Sequence, residues 1–207
     1  MEQPPKPIPA ADPSLPKNIL EAIGAAIEAY ALVEGEQVFL LKSMMRSDMQ
    51  TATIIFFSIQ NSRSRCEMIG ALLGYMFRGR LDNYWNSCSK FLGNLAKFRN
   101  AIAHWHPYVE IYRQDGTDKA YIKYVLGHPI PGKTFKTLTD QNVPPFVEDC
   151  QYIIARLRDL NDEVLQRSRR RGLPERFQQP LARQNQALLR TYQKPKTPKA
   201  RRKSSRA

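Results

Sequence analysis

Between Phe98 and Pro107 the chain reads Phe-Arg-Asn-Ala-Ile-Ala-His-Trp-His-Pro, which brings a guanidinium (Arg99), a carboxamide (Asn100) and an imidazole (His104) close together in sequence. These groups suit metal-free work on a phosphodiester. An imidazole moves a proton, a guanidinium neutralises charge building on phosphoryl oxygens, and a carboxamide orients the imidazole or the phosphate. A metal centre is a poor fit, because His104 and His106 are two apart with no carboxylate or cysteine at ligand spacing, and His128 stands alone beside a proline.

The element that must carry them is a long helix. Leu81, Tyr84, Trp85, Cys88, Phe91, Leu92, Leu95, Phe98, Ile102 and Trp105 recur every three or four positions, which predicts one buried stripe up to Pro107. With Phe98 set at zero on the helical wheel, Asn100 falls at about 200° and His104 at about 240°, on the face turned from the core. Arg99 leaves the helix about 140° from His104, so a single copy converges only by long side-chain reach, whereas two copies across a two-fold axis could build one shared site. Pro107 disfavours helical geometry at His106, which leaves His104 in the last turn, where the carbonyl end favours an imidazolium and hence a proton donor.

The run Arg99-Asn100-Ala101-Ile102-Ala103-His104 on the last part of a bundle helix resembles the signature of the HEPN superfamily. The resemblance covers six residues and the helical pattern around them. It implies an all-α, up-down bundle acting as a homodimer, with Arg99, Asn100 and His104 as catalytic residues of a metal-independent endoribonuclease that needs no cofactor. In such a route the RNA 2′-hydroxyl attacks its own phosphate, giving a 2′,3′-cyclic phosphate and a free 5′-hydroxyl. DNA lacks the nucleophile. The same resemblance implies a toxin-antitoxin or defence setting, with an antitoxin or another partner protein. It also leaves a second reading from another class: a non-catalytic homodimeric binding module, since some HEPN-like domains have lost cleavage.

Composition sets the frame. A chain of 207 residues, 42% of them hydrophobic, suffices for one domain with a core. Its net charge of +13 is lopsided: Arg167 to Ala207 holds 14 of the 32 Lys and Arg but one of the 19 acids, so the body has 18 of each sign and the tail all the excess. A neutral body with such an arm points to a polyanion partner, with Arg169, Arg170, Arg171, Arg201, Arg202 and Lys203 as candidate contacts, and the resemblance implies that the polyanion is RNA. Cys66, Cys88 and Cys150 lie far apart with no CxxC, which reads as buried reduced thiols. The proline-rich start lacks the apolar stretch of a signal peptide, and the strongest apolar run, 53–59, is far short of the roughly 20 residues that span a bilayer. A cytoplasmic protein with no membrane partner is the expectation.

In chain order, residues 1–17 read as a disordered proline-rich arm, 18–170 as the HEPN-like helical domain and 171–207 as a disordered basic tail. The domain should hold about four long helices and a small β-hairpin insertion. Asn18 is the expected N-cap of the first helix. Ser47 and Gln50 have the spacing of a capping box opening a second helix that runs to a stop at Gly79. Arg63 and Arg65 interrupt that helix either as a solvated kink or as phosphate ligands beside Arg99. Residues 107–126 alternate β-formers as a hairpin. Gly127 to Thr134 matches the phosphate-loop pattern, but Pro129 and Pro131 remove two of the N–H groups such a loop needs, and no strand-helix alternation surrounds it. It reads instead as a stiff turn. The last helix starts at Pro145 with a narrow seam of Phe146, Cys150, Ile153, Leu157, Leu160 and Val164.

Overall fold

The computed structural model describes residues 17–104, 106–113, 120–127, 142–166 and 173–183, the two strands by their backbone alone. Among them the chain is helical around one core: α1 (Lys17–Met45), α2 (Met49–Ser58), α3 (Ser62–Phe77), α4 (Asp82–His104) and α5 (Val143–Gln166). Strands β1 (His106–Arg113) and β2 (Ala120–Gly127) lie between α4 and α5 and pair antiparallel, with His106 opposite Gly127 and Arg113 opposite Ala120. None of the described helices is long and apolar enough to cross a membrane. The arm before Lys17, His128 and the proline-rich turn beyond Gly127 fall outside the described residues.

The first helix is unbroken for 29 residues through Gly35, and it packs against α2, α3, α4 and most extensively α5. It is already helical at Lys17, so Asn18 does not cap it. The expected second helix is two. The chain breaks at Ile59, whose backbone is extended, and Asn61 caps a new helix by accepting from the Ser64 N–H at 2.7 Å. Arg63 and Arg65 therefore occupy the first turn of α3 rather than the middle of a longer helix. At the start of α2 the cap is Asp48, not Ser47: its carboxylate accepts from the Thr51 N–H and hydroxyl, both at 2.8 Å. Those two bonds hold the Asp48 carboxyl below its usual range. At the far end of α3, Arg78 itself takes the left-handed conformation (φ 53°), and Gly79 follows at φ 74°.

Aromatic contacts lock α4 to its neighbours. Phe98 stacks on Phe146 of α5 at 4.4 Å, and Phe91 meets Tyr152 at 5.6 Å, so α4 and α5 run antiparallel. The α3–α4 contact is closer still. The indole N–H of buried Trp85 donates to the Cys66 carbonyl at 3.0 Å, and a Cβ added at Gly70 would lie 2.7 Å from the same ring. Because that hydrogen bond pins the indole, Gly70→Ala is expected to cost about 1–3 kcal/mol through overpacking. Gly93→Ala, whose Cβ would meet nothing within 4 Å, should be neutral or stabilising. Thermal unfolding of the two variants checks the contrast. All three cysteines are free and buried, and burial pushes their thiols up to about 11 (Cys66), 12 (Cys88) and 12 (Cys150). The native protein is thus expected to resist alkylation at pH 8, with three equivalents reacting on denaturation.

Part of the predicted disordered tail belongs to the fold. Residues 173–183 turn back over α4 and α5, with one turn of 3₁₀ helix at Glu175–Phe177. Phe177 is 1% exposed and meets Tyr84 edge-on at 5.0 Å, while the Leu181 N–H donates to the Ser87 hydroxyl at 2.9 Å. Arg183 reaches Asp149, a fully buried residue of α5, at 3.2 Å and lies over the Tyr152 ring. Leu173, Phe177 and Leu181, four residues apart, give this segment the apolar spacing that its surrounding Arg, Gln and Pro obscure.

Candidate functional site

The last two turns of α4 carry Arg99, Asn100 and His104. Phe98 and Ile102 are buried and fix the rotation of the helix, which leaves Asn100 and His104 exposed on the outward face. The Arg99 side chain is 35% exposed and leans the other way, toward α1. There its guanidinium lies 5.2 Å from the Tyr30 ring centroid and 3.9 Å from the Glu34 carboxylate. It also donates to the Asn100 side-chain oxygen at 3.0 Å. Arg99 and Asn100 are thus joined within one subunit. Among the described residues no side-chain hydrogen bond links His104 to either.

Glu34 is the residue the sequence did not single out. Its carboxylate accepts from Arg65 of α3 at 2.6 Å and faces Arg99 of α4, so one acid on α1 holds a basic residue from each of two neighbouring helices. Its side chain is 13% exposed. Tyr30, one turn earlier, is buried beside it. Burial first, and then the Glu34 charge, raise the Tyr30 phenol well above its ordinary pKa, so it stays neutral. The signal in the sequence was an i, i+4 pair of Tyr and Glu facing the core of an otherwise apolar stripe, which has meaning only once α3 and α4 are placed.

Arg65 corrects the expectation of a phosphate ligand. It is buried, its Nη1 is taken by Glu34, its Nε donates to the Ile59 carbonyl at 2.7 Å, and its guanidinium lies 4.6 Å from the Phe56 ring centroid. It supports the acid that faces Arg99 and is buried away from solvent. Arg63 points to solvent and pairs with Glu67 at 2.8 Å, an exposed i, i+4 contact that a phosphate can displace at little cost. Arg169, Arg170, Arg171, Arg201, Arg202 and Lys203 lie outside the described residues.

The arrangement presents a guanidinium restrained by a carboxylate and an aromatic face, with an amide and an imidazole exposed beside it. It suits contact with a phosphodiester more than enclosure of a small molecule. The groove of about 370 Å³ lined by Tyr84, Tyr152, Arg156 and Arg176 lies under the 173–183 segment and includes none of the three. Among the described residues no cluster of three or more His, Cys, Asp or Glu could hold a metal ion. Compared with protein-family models, curated proteins and solved structures, the chain finds no match.

Proposed function

We propose that the protein is a HEPN-like, metal-independent endoribonuclease acting as a cytoplasmic homodimer, in a toxin or defence setting with an antitoxin partner. In this reading α1, α3, α4 and α5 form the four-helix frame, and the β1–β2 hairpin is an insertion in it. His104 moves the proton of the attacking 2′-hydroxyl or of the leaving 5′-oxygen, Arg99 neutralises the phosphoryl oxygens, and Asn100 orients Arg99. The observation that carries the reading is the restraint on Arg99: Glu34, Tyr30 and Asn100 hold a partly exposed guanidinium at the helix end that also bears exposed His104. A solvated surface arginine would have no such support.

The test uses labelled single-stranded RNA and the matching DNA in EDTA. The wild type is expected to cleave RNA alone, leaving 2′,3′-cyclic phosphate and 5′-hydroxyl ends, and Arg99→Ala to abolish cleavage while still shifting RNA in a gel. Intact RNA with the wild type, together with a salt-sensitive shift, would replace the nuclease by the non-catalytic binding module.

A further inference from the structure

We infer that the outer face of α4, from Asn83 to His104, is a strip that binds single-stranded RNA, with Lys90 and Lys97 on its phosphates. The inference rests on the nuclease reading for the end at which the strand is cut, and it adds where the rest of the strand lies.

Its basis is the register of α4. Asn83, Lys90, Lys97 and His104 stand seven residues apart, and so do Asn86, Gly93 and Asn100. An α-helix drifts by only about 20° over seven residues, so the two rows run side by side along one face for about 32 Å. All of them are exposed except Gly93, which is half-buried and leaves a gap where a Cβ would meet nothing within 4 Å. Packing bounds this face. The Trp85 indole turns into α3, the Ser87 hydroxyl accepts from Leu181, and Phe91 and Phe98 face α5 behind.

Charge selects the partner. Helix α1 carries four acids and two lysines, and α5 five acids and two arginines. Helix α4 reverses this, with Lys90, Lys97 and Arg99 against one acid, Asp82. That acid is in the first turn and lies against the α3–α4 turn, its carboxylate 3.3 Å from where a Cβ on Gly79 would stand. From Asn83 to His104 the exposed face therefore offers amides, ammonium groups and an imidazole, with no carboxylate of α4 to repel a phosphate. Among the described residues neither lysine has an acid partner, so neither must break an ion pair to bind. Exposed Arg78 and Arg80 continue the positive charge past Asn83. Lys97 lies about 10 Å and Lys90 about 21 Å along the axis from His104, so a strand with its scissile phosphate at His104 passes both. A single file of cations matches one backbone, and the asparagine amides beside it suit ribose hydroxyls and base edges.

The experiment measures gel-shift affinity of the full chain for labelled single-stranded RNA over a range of salt. It compares the wild type, Lys90→Gln with Lys97→Gln, and Lys17→Gln with Lys42→Gln, which removes the same charge from α1. Each phosphate contact on a single strand adds about 0.7 to the slope of log affinity against log salt. The α4 pair should thus flatten the slope by about 1.4, and the α1 pair should leave it. Gly93→Glu, whose side chain enters open space, should bind about fivefold more weakly than Gly93→Gln, which adds the same bulk without charge. Circular dichroism checks that each variant folds. A slope that the α4 pair leaves unchanged, or that the α1 pair flattens equally, would overturn the inference. So would retained RNA binding in the α4 pair alongside lost binding of a poly-glutamate peptide, which would give this face to an acidic protein. Flattening by the α4 pair in a protein whose wild type does not cleave would uphold the strip and overturn only the nuclease reading.

Discussion

His104→Ala is expected to lower RNA cleavage by about 10²- to 10⁴-fold, the usual range for loss of a positioned proton-transfer group. The thermal midpoint should hardly move. The imidazole is exposed, touches neither Arg99 nor Asn100 by a side-chain hydrogen bond, and follows Ile102 and Ala103 at the very end of α4, so its removal opens no cavity. Surface changes of this kind stay within about 0.5 kcal/mol. The pairing of a large kinetic loss with an unchanged unfolding curve is what separates chemistry from folding, and single-turnover cleavage alongside calorimetry reads both. Equal loss of activity and stability would mean that His104 supports the helix end instead.

Glu34→Ala is expected to act on folding as well, costing about 3–5 kcal/mol of stability, the range for a buried ion pair stripped of one partner. Arg65 is buried with Glu34 as its carboxylate partner, and its remaining bond to the Ile59 carbonyl does not neutralise it. Activity should fall as well, because Arg99 loses the acid that faces it. The two effects separate in the double variant Glu34→Leu with Arg65→Leu. Removing both charges against the Phe56 and Phe57 rings should recover most of the stability. Cleavage should not recover, since Arg99 still lacks the carboxylate that faces it. Glu34 is thus a positioning residue, and recovered cleavage in the double variant would deny it that role.

Periodicity made α4 and α5 legible, because each buries a stripe long enough for the 3.6-residue repeat to dominate; in α1 it gave the helix but not the buried face, since Leu20, Ile27, Ala31 and Met45 are exposed while Ala26, Tyr30, Val33 and Leu40 are buried. The seam Phe146, Cys150, Ile153, Leu157, Leu160 and Val164 is buried throughout. The split between α2 and α3 was hidden because Ala52, Phe56, Cys66 and Ile69 keep a near-helical spacing across the extended residue Ile59, and the break is made by an Asn cap rather than by Gly or Pro. Capping failed at Ser47 for a related reason: Asp48, one residue on, satisfies Thr51 with an ionised oxygen, a stronger acceptor than a hydroxyl. At the site, the chemistry-bearing types were visible in Arg99, Asn100 and His104. Glu34 was not, since its meaning comes from Arg65 and Arg99, 31 and 65 positions away. The folded segment 173–183 was obscured by composition, which averages three well-spaced apolar residues into a basic background.

The packing of α1 against α5 also bears on how the chain is made. Ala26, Val33, Leu40 and Leu41 are fully shielded in the finished protein, yet the helix that covers most of that face begins only at Val143. On the ribosome the first helix must therefore wait for more than a hundred residues to be made before its apolar side is sheltered. Nascent chains stopped short of α5 should recruit holdase chaperones, and release from them should coincide with emergence of the segment around Phe177.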